Sequence, residues 1–238
     1  MTDQTRRDKA KMVLANWKAS LSPHQARQWL ADFKGLYRPF QGLEVILALP
    51  VLFLPDLQNQ CRDLENVSLA AQDVSPFPQG GYTGSTPAAW LNGMVGYVLV
   101  GHRERRRYFH ETVQDSANKV SEALAEELCP VLCSDRETVR SQLAAIDSSE
   151  LDKLILAYTP DDAEALEVAG KPGAVAAEAD RFAEMSGKRP VLYGGGVNRK
   201  NVADFIGLDS LAGVMCAKGC LDPREFVELL ENAGRALA

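Results

Sequence analysis

Short apolar runs return eight times along this chain, and that recurrence limits what it can fold into. They are 12–17 (MVLANW), 43–50 (LEVILALP), 67–72 (VSLAAQ), 96–101 (GYVLVG), 129–133 (CPVLC), 152–158 (DKLILAY), 189–195 (RPVLYGG) and 211–217 (LAGVMCA). Their brevity and two-sided apolar character suit strands buried on both faces of a parallel sheet. Helical patterns lie between them. Residues 22–37 offer Ser22 as N-cap, Pro23 in the first turn, and Ala26, Leu30 and Phe33 on one face. Residues 116–128 repeat the pattern with Val120, Leu124 and Leu128, and 135–146 and 201–207 follow. Residues 222–238 close the chain, with Asp222 as cap and Pro223 at the first helical position. Eight strand–helix units in 238 residues leave about 30 for each, the size of one βα repeat. The expected fold is α/β, a closed (β/α)8 barrel, one domain over residues 1–238 with 1–11 as a polar N-terminal extension.

Composition narrows the function classes. A formal charge of −6 argues against nucleic acid as a partner. No apolar run is long enough for a membrane span, and "MVLANW" is too short for the core of a signal peptide, so the expected location is the cytoplasm. The five cysteines, Cys61, Cys129, Cys133, Cys216 and Cys220, are an odd number and do not suggest a disulfide framework. Cys129 with Cys133, and Cys216 with Cys220, pose a zinc site as an alternative. Three histidines and apolar flanks favour buried free thiols, with no metal and no cofactor.

In a parallel barrel the chemistry sits at the C-terminal strand ends. After the first run, Asn16 and Lys18 face the same way, and a lysine there offers a fixed cation to an anionic substrate. After the fourth, His102 follows Gly101, and "RERRRYF" can begin a helix. A helix N-terminus disfavours a charged imidazole, leaving a neutral ring to donate to a substrate carbonyl. Glu104 is a proton carrier or an ion-pair partner for Arg105 or Arg106. After the seventh, "YGGGVNRKN" exposes successive backbone N–H groups before a helix expected near Asn198, an arrangement suited to phosphate. The loop "GGYTGSTPAAW" after the third run is a substrate loop, a disordered tip or a subunit contact. The plainer readings are a solvated lysine, a structural histidine and a tight turn.

Taken in order, "ANWK", "GGYTGSTPA", "YVLVGHRERRRYFHET" and "YGGGVN" resemble the motifs of the triosephosphate isomerase family across nearly the whole chain. That family interconverts glyceraldehyde 3-phosphate and dihydroxyacetone phosphate in glycolysis and gluconeogenesis. Its chemistry is a standard worked example of pKa tuning: a glutamate base, a neutral histidine electrophile and a lid that excludes water. The resemblance implies that Asn16 and Lys18 position and polarise the substrate, that His102 polarises its oxygens, and that Glu104 supports them. It implies that Gly195 and Gly196, with Ala217 and Lys218 in place of the family's Gly-Gly, hold the phosphate. It also implies a homodimer in which Thr83 approaches the neighbour's site.

The chain departs from the family where the base belongs. The family's Ala-Tyr-Glu-Pro reads Ala157-Tyr158-Thr159-Pro160, and its lid sequence is replaced by "DDAEALEVAGKPG". Arg103 and Asp73 stand where the family has a small residue and Asn. A threonine hydroxyl is no carboxylate-like base near neutral pH, and loss of a positioned base costs roughly 10²–10⁴-fold. Three readings stay open. One is an aldose–ketose isomerase, for this or another sugar phosphate, whose base has moved to Asp161, Glu164 or Glu167. The second is a non-catalytic binder of a phosphorylated small molecule or a partner protein. The third is different chemistry in the same pocket, with Lys218 binding phosphate or forming a Schiff base.

Overall fold

Along β1 (Lys11–Asn16), Met12, Leu14 and Asn16 turn one way and Val13 and Ala15 the other, and both sets are buried. The remaining strands are β2 (Leu43–Leu49), β3 (Val67–Ala71), β4 (Tyr97–Val100), β5 (Cys129–Ser134), β6 (Ile155–Tyr158), β7 (Val191–Tyr193) and β8 (Gly213–Cys216). In this computed structural model, which describes residues 10–160 and 169–238, each strand pairs in parallel with the next. Pairing of β8 with β1 closes the barrel. Leu14, Ile46, Ala70, Leu99, Val131, Ala157 and Leu192 fill its interior. A second, larger apolar layer joins the outer strand faces to the helices.

The described α-helices are α1 (Pro23–Leu36), α2 (Leu54–Cys61), α3 (Arg103–Tyr108), α4 (Val113–Ala125), α5 (Val139–Ala145), α6 (Pro172–Met185), α7 (Val202–Ile206) and α8 (Pro223–Leu237). Ser22 and Gln25 close a reciprocal capping box on α1, and Asp222 accepts from the N–H groups of Arg224 and Glu225 on α8. Trp29 and Phe33 of α1 stack 4.9 Å apart and meet Phe226 of α8, which ties the two ends of the chain together.

Some boundaries differ from expectation. Lys11, assigned to the polar extension, already pairs with Leu43. The third unit has no α-helix among its described residues. A long loop and a 3-10 turn at Ala88–Trp90 span β3 to β4, while β4 to β5 carries both α3 and α4. In the run 152–158 only Ile155–Tyr158 is strand, because Leu151–Lys153 form a 3-10 turn. The helix expected from 116 starts at Val113, capped by Thr112. The helix after the glycine run starts at Val202, because Asn198 and Asn201 first close a turn. All five cysteines are free, no cluster that could hold a metal occurs among the described residues, and no described helix is long and apolar enough to cross a membrane.

Candidate active site

The strands end in a cavity of about 380 Å³ whose wall includes Asn16, Lys18, His102, Thr159, Gly194, Gly196, Ala217 and Lys218. Residues expected to act together therefore converge from β1, β4, β6, β7 and β8.

Lys18 adopts a left-handed backbone (φ 49°), uncommon for a residue with a side chain. Among the described residues, three contacts hold it there. Asn16 Oδ1 accepts from the Lys18 N–H at 3.0 Å, Gln72 Nε2 donates to the Lys18 carbonyl at 3.0 Å, and Lys18 Nζ meets Glu104 Oε1 at 2.7 Å. Gln72 also donates to the Ala48 carbonyl, which anchors the clamp to β2. The ammonium is thus held at the cavity wall, and strain of this kind persists where surrounding contacts over-determine it.

His102 is the N-cap of α3 and is only 6% exposed. Its Nδ1 accepts from the Glu104 N–H at 3.3 Å, which assigns the ring proton to Nε2 and makes that atom a donor. The turn before it depends on Gly101 (φ 66°), where an added Cβ would lie 2.6 Å from Gln142 Nε2. The Gly101 N–H donates to Glu111 Oε1 at 3.2 Å. Behind this turn lies a cluster of four charges. Lys119 meets Glu111 at 2.5 Å and Asp73 at 2.6 Å, and Arg105 meets Glu111 at 2.9 Å and Asp73 at 3.0 Å. Burial pushes the Asp73 carboxyl above its ordinary value, although Lys119 and Arg105 pull it down. Arg106 bridges the carbonyls of Gly101 and Cys133 and pairs with Asp135.

Thr159 continues the inward-facing series of Ile155 and Ala157, which puts it at the cavity and makes it 1% exposed. Its hydroxyl donates to the Ser134 carbonyl at 3.2 Å, beside its own N–H at 2.8 Å. Its methyl packs on Gly194, where an added Cβ would stand 2.9 Å away. The corner is therefore filled by a neutral group whose proton is already donated to backbone. Asp161, Glu164 and Glu167 lie outside the described residues.

On the β7–β8 side, Gly194 and Gly196 line the cavity, while Gly195 is buried against the Tyr193 ring. Tyr193 in turn accepts from the Gly170 N–H at 2.8 Å. Asn198 and Asn201 both donate to the Gly196 carbonyl, at 3.1 and 3.0 Å. Ala217 and Lys218 form the opposing wall, ahead of a 3-10 turn at Lys218–Cys220. Thr83 sits on an exposed loop. The supporting roles of Gln72, Glu111 and Lys119 were not read from the sequence, although Gln72 stands at the end of the third apolar run, where a site residue is expected.

Comparison with known proteins points to one family. The family model described as triosephosphate isomerase matches residues 11–233. A triosephosphate isomerase of Thermus thermophilus is 32% identical over 253 residues, covering 94% of this chain and 98% of the relative. Those of Symbiobacterium thermophilum and Mesomycoplasma hyopneumoniae are each 30% identical, covering 95% and 94% of this chain and 98% and 99% of the relatives. With strand order and similarity in agreement along almost its full length, this chain belongs to the triosephosphate isomerase family.

Proposed function

We propose that this protein binds a small phosphorylated carbonyl compound of the triose phosphate class and turns it over far more slowly than the family reaction requires. The single observation that carries this reading is the Thr159 hydroxyl donated to Ser134. A retained lysine, asparagine and histidine can orient a ligand and polarise its oxygens, but proton abstraction needs a base. In this reading Gly196, Gly195, Ala217 and Lys218 hold the phosphate. The test has two parts. Calorimetry with dihydroxyacetone phosphate should show saturable heat. The coupled assay should show interconversion with glyceraldehyde 3-phosphate reduced by roughly 10²-fold or more from an ordinary family member. Turnover within about tenfold of such an enzyme would overturn the reading. Asp161→Asn then tests a relocated base, because it abolishes that turnover if Asp161 supplies it.

We also propose a homodimer built on the loop that carries Thr83. Phe77 and Tyr82 stack 4.5 Å apart on it and are both exposed. Beside it, Val51, Gly84, Ser85 and Phe109 line a hollow of about 470 Å³ that also reaches Lys18 and Glu104. Exposed aromatic groups around a concave socket suit a second copy. Sedimentation of the full chain tests this, and a monomer at micromolar concentration would reject it. Five free thiols fit a reducing compartment, and the cytoplasm is the proposed location.

A further inference from the structure

One residue grips the backbone on both sides of His102. The Gly101 carbonyl, just before it, accepts from Arg106 Nη1, and the carbonyl of His102 itself accepts from the Arg106 N–H at 3.2 Å. These two carbonyls belong to the peptide planes that meet at the His102 Cα, and each plane is rigid. Arg106 therefore restrains both backbone rotations of His102, observed at φ −56° and ψ 139°. Those rotations set where the imidazole points in the cavity wall. The N-cap bond is a weaker restraint on the ring, because the Glu104 N–H reaches Nδ1 only at 3.3 Å, past the usual range for such a bond.

Arg106 is itself held from β5. Its Nη1 also donates to the Cys133 carbonyl at 3.1 Å, and its Nη2 donates to Asp135 Oδ2. The other Asp135 oxygen, Oδ1, accepts from the Glu137 N–H at 3.0 Å and from the Thr138 N–H and hydroxyl, both at 2.9 Å. Both carboxylate oxygens are therefore committed, and the paired side chains are only 14% and 13% exposed. A guanidinium suits this place because its planar fork serves two carbonyls and a carboxylate at once, which the point charge of an ammonium does not. We propose that Arg106, oriented by Asp135, is a positioning residue that aims His102 Nε2 into the cavity and keeps Nδ1 as the acceptor. Neither Arg106 nor Asp135 lines the cavity, so both act through His102. The affinity expected below rests on the triose phosphate reading, whereas the state of the ring does not.

The test reads the ring nitrogens of the full chain by NMR. His24 and His110, the other two histidines, are exposed and serve as internal references. In the parent chain His102 should show one fixed tautomer, with its proton on Nε2. Arg106→Lys keeps the charge and loses the fork. It should move the two His102 nitrogens toward the averaged positions of the reference rings and weaken dihydroxyacetone phosphate by about tenfold or more in calorimetry. Asp135→Asn should do the same to a smaller extent. In Arg106→Ala, added ethylguanidinium should restore both ring signals and affinity, and ethylammonium should not. Melts of each chain separate lost stability from lost aim. A folded Arg106→Lys or Asp135→Asn chain with the parent's His102 signals overturns the proposal. So does a rescue by ethylguanidinium that raises the melting temperature and leaves the ring signals unrestored. If the Arg106 variants do not fold, Asp135→Asn decides by the same signals. If the parent chain does not bind dihydroxyacetone phosphate, the triose phosphate reading fails and the ring signals alone decide this one.

Discussion

Thr159 donates its hydroxyl to the carbonyl of Ser134, the last residue of the neighbouring strand β5, across 3.2 Å. Breaking that bond by Thr159→Glu puts a carboxylate at the cavity wall, beside Lys18 and His102. Triose phosphate kcat/KM should rise by roughly 10²-fold or more, since a positioned base contributes about 10²–10⁴. Steady-state assays of both chains check this. An unchanged kcat/KM, with ligand binding intact by calorimetry, would show that the missing base is not what limits turnover.

Gly101 has no room for a methyl group. Gly101→Ala would press on Gln142 and Ser116 at a left-handed position and should cost about 1–3 kcal/mol. Because His102 follows directly, ligand affinity should fall with stability. A melt that matches the parent chain would contradict the steric account.

Glu111 connects the Gly101 amide to Lys119 and Arg105. Its side chain is 3% exposed. Glu111→Ala leaves two cations with Asp73 alone, and loss of one partner from a buried charge cluster costs about 3–5 kcal/mol. Chemical denaturation should show a loss of that size, and one below about 1 kcal/mol would mean that solvent screens the cluster.

The α4 capping box carries a pH dependence. Hydrogen bonds from the Thr112 side chain and backbone hold the Asp115 carboxyl below its ordinary 3.8. The folded chain then binds fewer protons than the unfolded chain in that window. Asp115 therefore adds stability above pH 3.8 that is lost as pH falls through its lower folded value. Thr112→Ala should remove about 1 kcal/mol near neutral pH, and the difference between the two chains should shrink in melts taken below that value. A difference that stays constant with pH would assign the effect to helix propensity instead.

The barrel was legible because each strand is a short run apolar on both faces, bounded by cap signals such as Ser22-Pro23 and Asp222-Pro223. Helix α2 was not, because Leu54, Leu57 and Cys61 are the only buried positions in an eight-residue polar turn. Helix α6 was missed because its alanine-rich face blurs the apolar period. In the site, Asn16, Lys18 and His102 were readable from their places at strand ends. Gln72 stands at a strand end too, but its clamp on the Lys18 carbonyl, 54 residues away, was not readable, and Glu111 was not, since it works through a backbone group 10 residues away.

The Met12 N–H donates to the Ala212 carbonyl, and Lys11 reaches the Leu211 carbonyl across 200 residues. The seam between β1 and β8 therefore joins strands that lie about 200 residues apart in the chain. Until β8 emerges, β1 presents an unpaired strand edge, a template for pairing with other chains. Such long-range closure makes folding slow relative to local helix formation. A nascent chain halted before residue 213 should remain protease-sensitive throughout, and release of the last 26 residues should protect the whole barrel in one step.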